Sequence, residues 1–144
     1  MTGVVVDASA ALAWILRSQS TPASAAFVAG RGERRFVAPY IFHWEVGNVL
    51  TGLRRRGVLS DGAHEQAMLD LDALRFEFEE PLTPDHIRLL GPLALAWRLT
   101  LFDTAYVALA LEREFPLASR DDRLLAAGAS AGIRCIDLRG DRLN

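Results

Sequence analysis

The chain has 144 residues, of which 51% are hydrophobic and 24% charged, and its formal net charge is −2. This length fits one domain, and this composition is typical of a globular protein rather than a disordered one. All 16 basic residues are arginine. The sequence therefore excludes every mechanism that needs a lysine, such as a Schiff base, a phosphate-loop lysine or a receiver-domain lysine.

Neither a membrane span nor a secretory signal is expected. The longest apolar runs, such as residues 105–111, are much shorter than the roughly 20 residues that a spanning helix needs. No basic residue precedes the first apolar run, as it would in a signal peptide. Cys135 is the single cysteine, so no internal disulfide can form, which fits a reducing compartment. We therefore expect a cytoplasmic protein.

Short strand-like runs alternate with helical runs along the chain. The predicted elements are, in order, a strand at 4–6, helices at 8–17 and 21–30, a strand at 36–38, helices at 39–55 and 61–74, a strand near 76–78, a helix from 83 that Gly91-Pro92 must kink or split, a helix at 103–114, a strand at 116–119, a helix at 122–131 and a strand at 133–136. Such alternation predicts a parallel sheet covered by helices on both faces. In sheets of this kind, ligands bind beyond the carboxyl ends of the strands.

Two aspartates follow predicted strands at this edge. Asp7 comes directly after the strand at 4–6, and Asp121 follows the strand at 116–119. Aspartate is also a good helix N-cap, so each residue also suits the simpler role of capping the helix after it. Of the adjacent acids Asp121 and Asp122, we assign Asp121 to the ligand edge, because it is nearer to the strand, and Asp122 to the cap.

Two further acids lie on predicted helices in apolar surroundings. Glu45 shares one arc of its helix with Ile41, Phe42 and Val49, and an unpaired charge there is costly. A structural Glu45 would instead need an arginine partner. Asp103 opens an almost wholly apolar helix, where the alternative role is again an N-cap.

If the four acids meet, their mutual repulsion requires protons or a cation. Two unit charges 4 Å apart repel by about 4 kcal/mol at an effective dielectric constant of 20. Magnesium and manganese prefer carboxylate oxygens, and they promote phosphodiester cleavage by activating water and offsetting the phosphate charge. The three histidines lack the spacing of zinc ligands. These residues therefore favour a Mg²⁺ or Mn²⁺ site formed by Asp7, Glu45, Asp103 and Asp121.

Four segments of the chain, in this order, resemble those of a known family. The segments are Asp7-Ala8-Ser9, Glu45 with Asn48, Phe102-Asp103-Thr104-Ala105-Tyr106, and Ser119-Arg120-Asp121. Together they resemble the PIN-domain nucleases, and in particular the VapC-type toxins of bacterial toxin–antitoxin pairs, over essentially the whole chain. The resemblance implies a three-layer α/β/α sandwich with a central, mostly parallel sheet, and a Mg²⁺- or Mn²⁺-dependent endoribonuclease. It also implies a homodimer and an antitoxin partner that inhibits it.

The same resemblance implies a role for each site residue. By position, Asp7, Glu45 and Asp103 are the core metal ligands, and Asp121 is a more peripheral fourth acid. Ser9 matches a polar position that orients Asp7 or the water shell of the metal. Where this chain has serine in the last motif, the family usually has threonine.

The sequence is also compatible with other functions. One is a PIN nuclease that processes cellular RNA without being a toxin, and another is a catalytically inactive binding module. A receiver domain and a haloacid-dehalogenase-type phosphatase both need a lysine that the chain lacks. Arg120 and Arg123 flank the predicted site and are candidates for contact with RNA phosphates.

Overall fold

A computed structural model describes residues 2–140 of the chain. The strands are β1 (Gly3–Val6), β2 (Arg35–Ala38), β3 (Glu77–Phe78), β4 (Leu117–Ser119) and β5 (Cys135–Asp137). The α-helices are α1 (Ala8–Ile15), α2 (Pro22–Ala29), α3 (Ile41–Arg55), α4 (Asp61–Ala73), α5 (Pro84–Trp97), α6 (Leu101–Arg113) and α7 (Asp122–Ser130). The order of strands and helices agrees with the order predicted from the sequence.

The five strands form one sheet in the order β3-β2-β1-β4-β5, and every pairing is parallel. The chain starts at the central strand β1, adds β2 and β3 on one side, and then returns to add β4 and β5 on the other. The topological switch point therefore lies between β1 and β4. A crevice at the carboxyl ends of these two strands is where open α/β sheets bind their ligands.

Helices pack on both faces of the sheet, because successive strand residues point to opposite faces. Val5, Val37 and Leu117 face the larger core, which also holds the buried side chains of α3 and α6. Val4 and Val6 face the smaller core, which Phe27 and Val28 of α2 help to cover. The predicted three-layer α/β/α sandwich is confirmed.

Several element bounds differ from the predicted ones by about two residues, and two features of the elements have a clear physical reason. Pro92 does not split its helix, because α5 runs unbroken from Pro84 to Trp97. That helix has no buried residue, so water can reach the carbonyl group that the proline leaves without a partner. β5 begins at Cys135 rather than at Ile133, because the Ile133 amide still donates to the carbonyl of Gly128 at the end of α7.

Helix α5 is the most exposed helix of the molecule and presents large apolar side chains to solvent. The exposed fraction is 69% for Leu89 and 83% for Leu95. Within residues 2–140, no single helix is long and apolar enough to cross a membrane. Only α5 and α6 taken together meet that length and composition, and they do so as a pair bent by 100°.

Candidate active site

Asp7 lies at the carboxyl end of β1, at the switch point of the sheet, and only 5% of it is exposed. Its carboxylate accepts hydrogen bonds from the Ser119 hydroxyl at 2.6 Å, from the Ser9 hydroxyl at 2.8 and 2.9 Å, and from the Ala10 amide at 2.9 Å. The bond from Ala10 makes Asp7 the N-cap of α1. Asp7 therefore both caps α1 and lies at the edge of the sheet where ligands bind.

The environment of Asp7 disfavours its ionised form. Burial raises the pKa of Asp7 from 3.8 to about 6, even though the hydrogen bonds from Ser119, Ala10 and Ser9 lower it. The nearby charge of Asp121 adds to the rise. A carboxylate in this state ionises more readily when a cation comes near.

Two serine hydroxyls connect Asp7 to the end of β4. The Ser119 hydroxyl donates to Asp7 and accepts from the Asp121 amide at 2.9 Å. The Ser9 hydroxyl donates to Asp7 and accepts from the Arg120 amide at 3.1 Å. The sequence indicated Ser9 as a polar support, whereas it singled out Ser119 only as a departure from threonine. The Ser119 hydroxyl, a group that threonine also has, donates the shorter of the two serine hydrogen bonds to Asp7.

Glu45 projects from α3 and is half-buried. The Tyr106 hydroxyl donates to Glu45 Oε1 at 2.7 Å. Burial raises the pKa of Glu45, the bond from Tyr106 lowers it, and the charges of Asp7, Asp103 and Asp121 raise it further. No arginine in the described part of the chain forms an ion pair with Glu45, so the structural role considered for it has no support.

Asp103 lies in the first turn of α6, but it does not cap that helix. Thr100 is the N-cap, and its hydroxyl accepts from the Asp103 amide at 3.1 Å. Burial raises the pKa of Asp103, and the charge of Asp121 raises it further. The hydrogen bond with Thr100 and the charge of Arg123 lower it.

The prediction that Asp122 caps α7 is wrong, because Asp121 is the cap. Asp121 Oδ1 accepts from the amides of Arg123 at 2.8 Å and Leu124 at 3.0 Å. Asp122 is already the first helical residue, and its carboxylate pairs with Arg139 at 2.5 Å. A cap residue has extended backbone geometry and precedes the first helical residue, so a helix that begins at Asp122, as predicted, is capped by Asp121. A loss of about 1 kcal/mol on removing the cap is therefore expected for Asp121→Ala rather than for Asp122→Ala.

The four predicted site residues come from four separate parts of the fold, and their charges act on one another. Asp121 raises the pKa of each of the other three, and both Asp7 and Asp103 raise that of Glu45. As the side chains stand, no three Asp, Glu, His or Cys residues among 2–140 are arranged to hold a metal ion between them. Magnesium usually keeps several waters and binds through one or two carboxylates. The donor set thus fits a hydrated Mg²⁺ better than a closed cage of side chains.

The two arginines that flank the site differ in how they relate to it. Arg123 is close enough for its charge to lower the pKa of Asp103. Arg120 supports the site through its main chain, which donates to Ser9, and its buried Nε has no hydrogen-bond partner in residues 2–140. Arg123 is therefore the better candidate for contact with an anionic substrate.

Comparison with known proteins agrees with this geometry. The PIN domain family matches residues 4–129, a range that includes all four acids. The chain therefore belongs to the PIN-domain family.

Within that family, the chain is similar to Ribonuclease VapC1 of Mycobacterium tuberculosis, in strains CDC 1551 / Oshkosh and ATCC 25618 / H37Rv. The two sequences are 40% identical over 103 residues, which cover 68% of this chain and 69% of the relative. The predicted resemblance to the VapC-type ribonucleases is thereby confirmed. The fold is also similar to the crystal structure of PAE2754 from Pyrobaculum aerophilum, with a TM-score of 0.66 and 21% identity over 94% of this chain and 84% of that one. At this identity the likeness supports the fold alone.

Proposed function

We propose that this protein is a magnesium- or manganese-dependent endoribonuclease and the toxin of a bacterial toxin–antitoxin pair. The observation that carries the proposal is the buried Asp7 at the switch point of a PIN domain, with its carboxylate held by two serines and the charges of Asp121 and Glu45 nearby. Carboxylates that repel one another are stabilised by a divalent cation. The name of the relative, Ribonuclease VapC1, supports RNA as the substrate and a cognate antitoxin as the partner.

In this proposal Asp7, Glu45 and Asp103 hold the metal, and Asp121 contributes from the edge of the site. The bound metal would supply an activated water and would offset charge on the phosphate. The protein fixes the positions of its carboxylates, as where Ser9 and Ser119 both donate hydrogen bonds to Asp7. Arg123, whose charge acts on Asp103, attracts the RNA phosphate to the crevice.

The first prediction is that the purified protein cleaves structured RNA in the presence of Mg²⁺ or Mn²⁺, and that EDTA abolishes this cleavage. Glu45→Gln and Asp103→Asn are expected to lose most of the activity without unfolding, because each removes one metal-binding charge. Glu65→Gln, which changes an exposed acid on α4, serves as the matched control and should cleave normally. Denaturing gel electrophoresis measures the products. Cleavage that persists in EDTA would contradict the metal-dependent mechanism.

We also propose that the protein forms a homodimer through the exposed face of α5. Leu89 and Leu93 are large, apolar and exposed on one side of α5, four residues apart, and Leu89 lines a groove together with the exposed Trp44 of α3. An apolar patch of this kind on a small domain marks an interaction surface. A two-fold dimer would cover the face by pairing it with the same face of a second copy.

The second prediction is that Leu89→Glu converts the dimer to a monomer, because a charge buried in an apolar interface is costly. The control is Val58→Glu, which places the same charge on another exposed apolar residue, outside α5 and 70% exposed. Light scattering coupled to size-exclusion chromatography measures the mass. A wild-type protein that is monomeric at micromolar concentration would rule out the dimer and leave the antitoxin as the occupant of this face.

A further inference from the structure

Tyr106 connects the proposed metal site to the core of the protein. It lies on α6 one turn after Asp103, and its exposed fraction is 1%. The ring belongs to the larger hydrophobic core, while the hydroxyl donates to Glu45 Oε1 at 2.7 Å. This hydroxyl thus joins α6 to α3.

The direction of the bond to Glu45 follows from the chemistry of the two groups. Burial raises the pKa of Tyr106, and the charges of Glu45 and Asp7 raise it further. The phenol therefore keeps its proton and has one hydrogen to donate, whereas an ionised carboxylate can only accept. A hydrogen bond to a charged acceptor in a buried setting is among the stronger ones in proteins.

The bond also restricts a side chain that is otherwise mobile. A glutamate has three side-chain torsions, and fixing such a side chain costs conformational entropy. Tyr106 has a rigid ring packed in the core, so its hydroxyl oxygen is held in place before any ligand arrives. With Oε1 of Glu45 bound to that hydroxyl, the second oxygen, Oε2, accepts no hydrogen bond from the described residues.

We infer that Tyr106 is a positioning residue that holds Glu45 Oε1 through its buried hydroxyl, so that Oε2 is presented to the divalent cation. The inference rests on the proposed function, because Tyr106 can position Glu45 for a cation only if Glu45 is a metal ligand. It extends the site beyond the four acids to a group that contacts neither metal nor RNA. Residues that orient metal ligands in this way affect metal affinity by about 10- to 100-fold.

The test is the affinity of the RNA-free protein for Mn²⁺, measured by calorimetry in wild type and in Tyr106→Phe. The substitution keeps the ring and removes one hydroxyl, so Mn²⁺ binding should weaken by about 10- to 100-fold. The matched control is Tyr40→Phe, which removes the hydroxyl of the other, exposed tyrosine and should leave the affinity unchanged. Wild-type affinity in Tyr106→Phe would overturn the inference.

A double-mutant cycle separates positioning from a general structural role. If Tyr106 acts through Glu45, Tyr106→Phe should change Mn²⁺ affinity by less than about twofold when Glu45→Gln is already present. An equal loss in both backgrounds would show that Tyr106 acts on the fold instead, and would overturn the inference.

A second variant covers the case in which Tyr106→Phe fails to fold. Glu45→Asp withdraws the carboxylate from the tyrosine by one methylene and should show the same loss of Mn²⁺ affinity. Wild-type affinity in Glu45→Asp would overturn the inference. A wild-type protein that binds no Mn²⁺ and cleaves no RNA would instead overturn the proposed function itself.

Discussion

Asp7→Asn is expected to abolish RNA cleavage and, with it, the growth arrest caused by induced expression in a bacterial host. Asparagine is nearly isosteric and can still accept the bond from the Ala10 amide, so the cap of α1 is kept. What is lost is the charge at the centre of the proposed metal site. Substitution of a residue that only supports a metal ligand lowers metal affinity or activity by about 10- to 100-fold. For Asp7, a proposed ligand itself, we expect the cleavage rate to fall by at least about 100-fold.

Growth curves after induction and cleavage assays on the purified variant measure this result together. Asp70→Asn, which neutralises an exposed acid on α4, is the matched control and should still arrest growth. Growth arrest by a folded Asp7→Asn protein would contradict the catalytic role of Asp7. A soluble and active wild-type nuclease that allows normal growth would favour the RNA-processing alternative over the toxin. A short reading frame for a DNA-binding protein immediately upstream of the gene would favour the toxin.

The metal-free protein is expected to lose stability as pH rises from about 4 to about 6.5. The folded-state pKa of Asp7, about 6, lies above its unfolded value of 3.8. The stabilising contribution of protonated Asp7 is therefore fully present below about pH 4 and is lost as pH rises through 6. The difference between the two pKa values corresponds to about 3 kcal/mol. Glu45 and Asp103, whose pKa values are also raised, act in the same direction.

Urea unfolding in EDTA across this pH range measures the free energy of unfolding. Asp7→Asn is the informative comparison, because it removes the titrating group and should flatten most of the pH dependence. Addition of Mn²⁺ at pH 7.5 should then stabilise the wild type, since a ligand that binds only the folded state stabilises it. The variant should gain much less. Identical pH profiles for wild type and Asp7→Asn would show that burial does not raise the pKa of Asp7.

Local signals in the sequence were sufficient for the class of fold and for most element ends. The apolar run at 4–6 predicts a buried strand, and Thr83 followed by Pro84 predicts a capped helix start, as the structure has it. Such signals work because strand burial, N-caps and prolines depend on a few neighbouring residues. The assignment of the α7 cap was wrong by one residue although the predicted start of that helix was right, because the cap is the residue before the first helical one.

The sequence by itself determined the α/β class and the family resemblance, and it predicted four site acids, because these features lie in short motifs. Only the tertiary structure decided how those acids are supported. Ser119 donates to Asp7 across 112 positions of the chain, and Tyr106 donates to Glu45 across 61. Both bonds require packing partners that no local pattern specifies: β4 must pair with β1, and α6 must contribute to the same core as α3. Contacts between residues this far apart in sequence arise from the order of strands in the sheet, which the alternation of strands and helices leaves open.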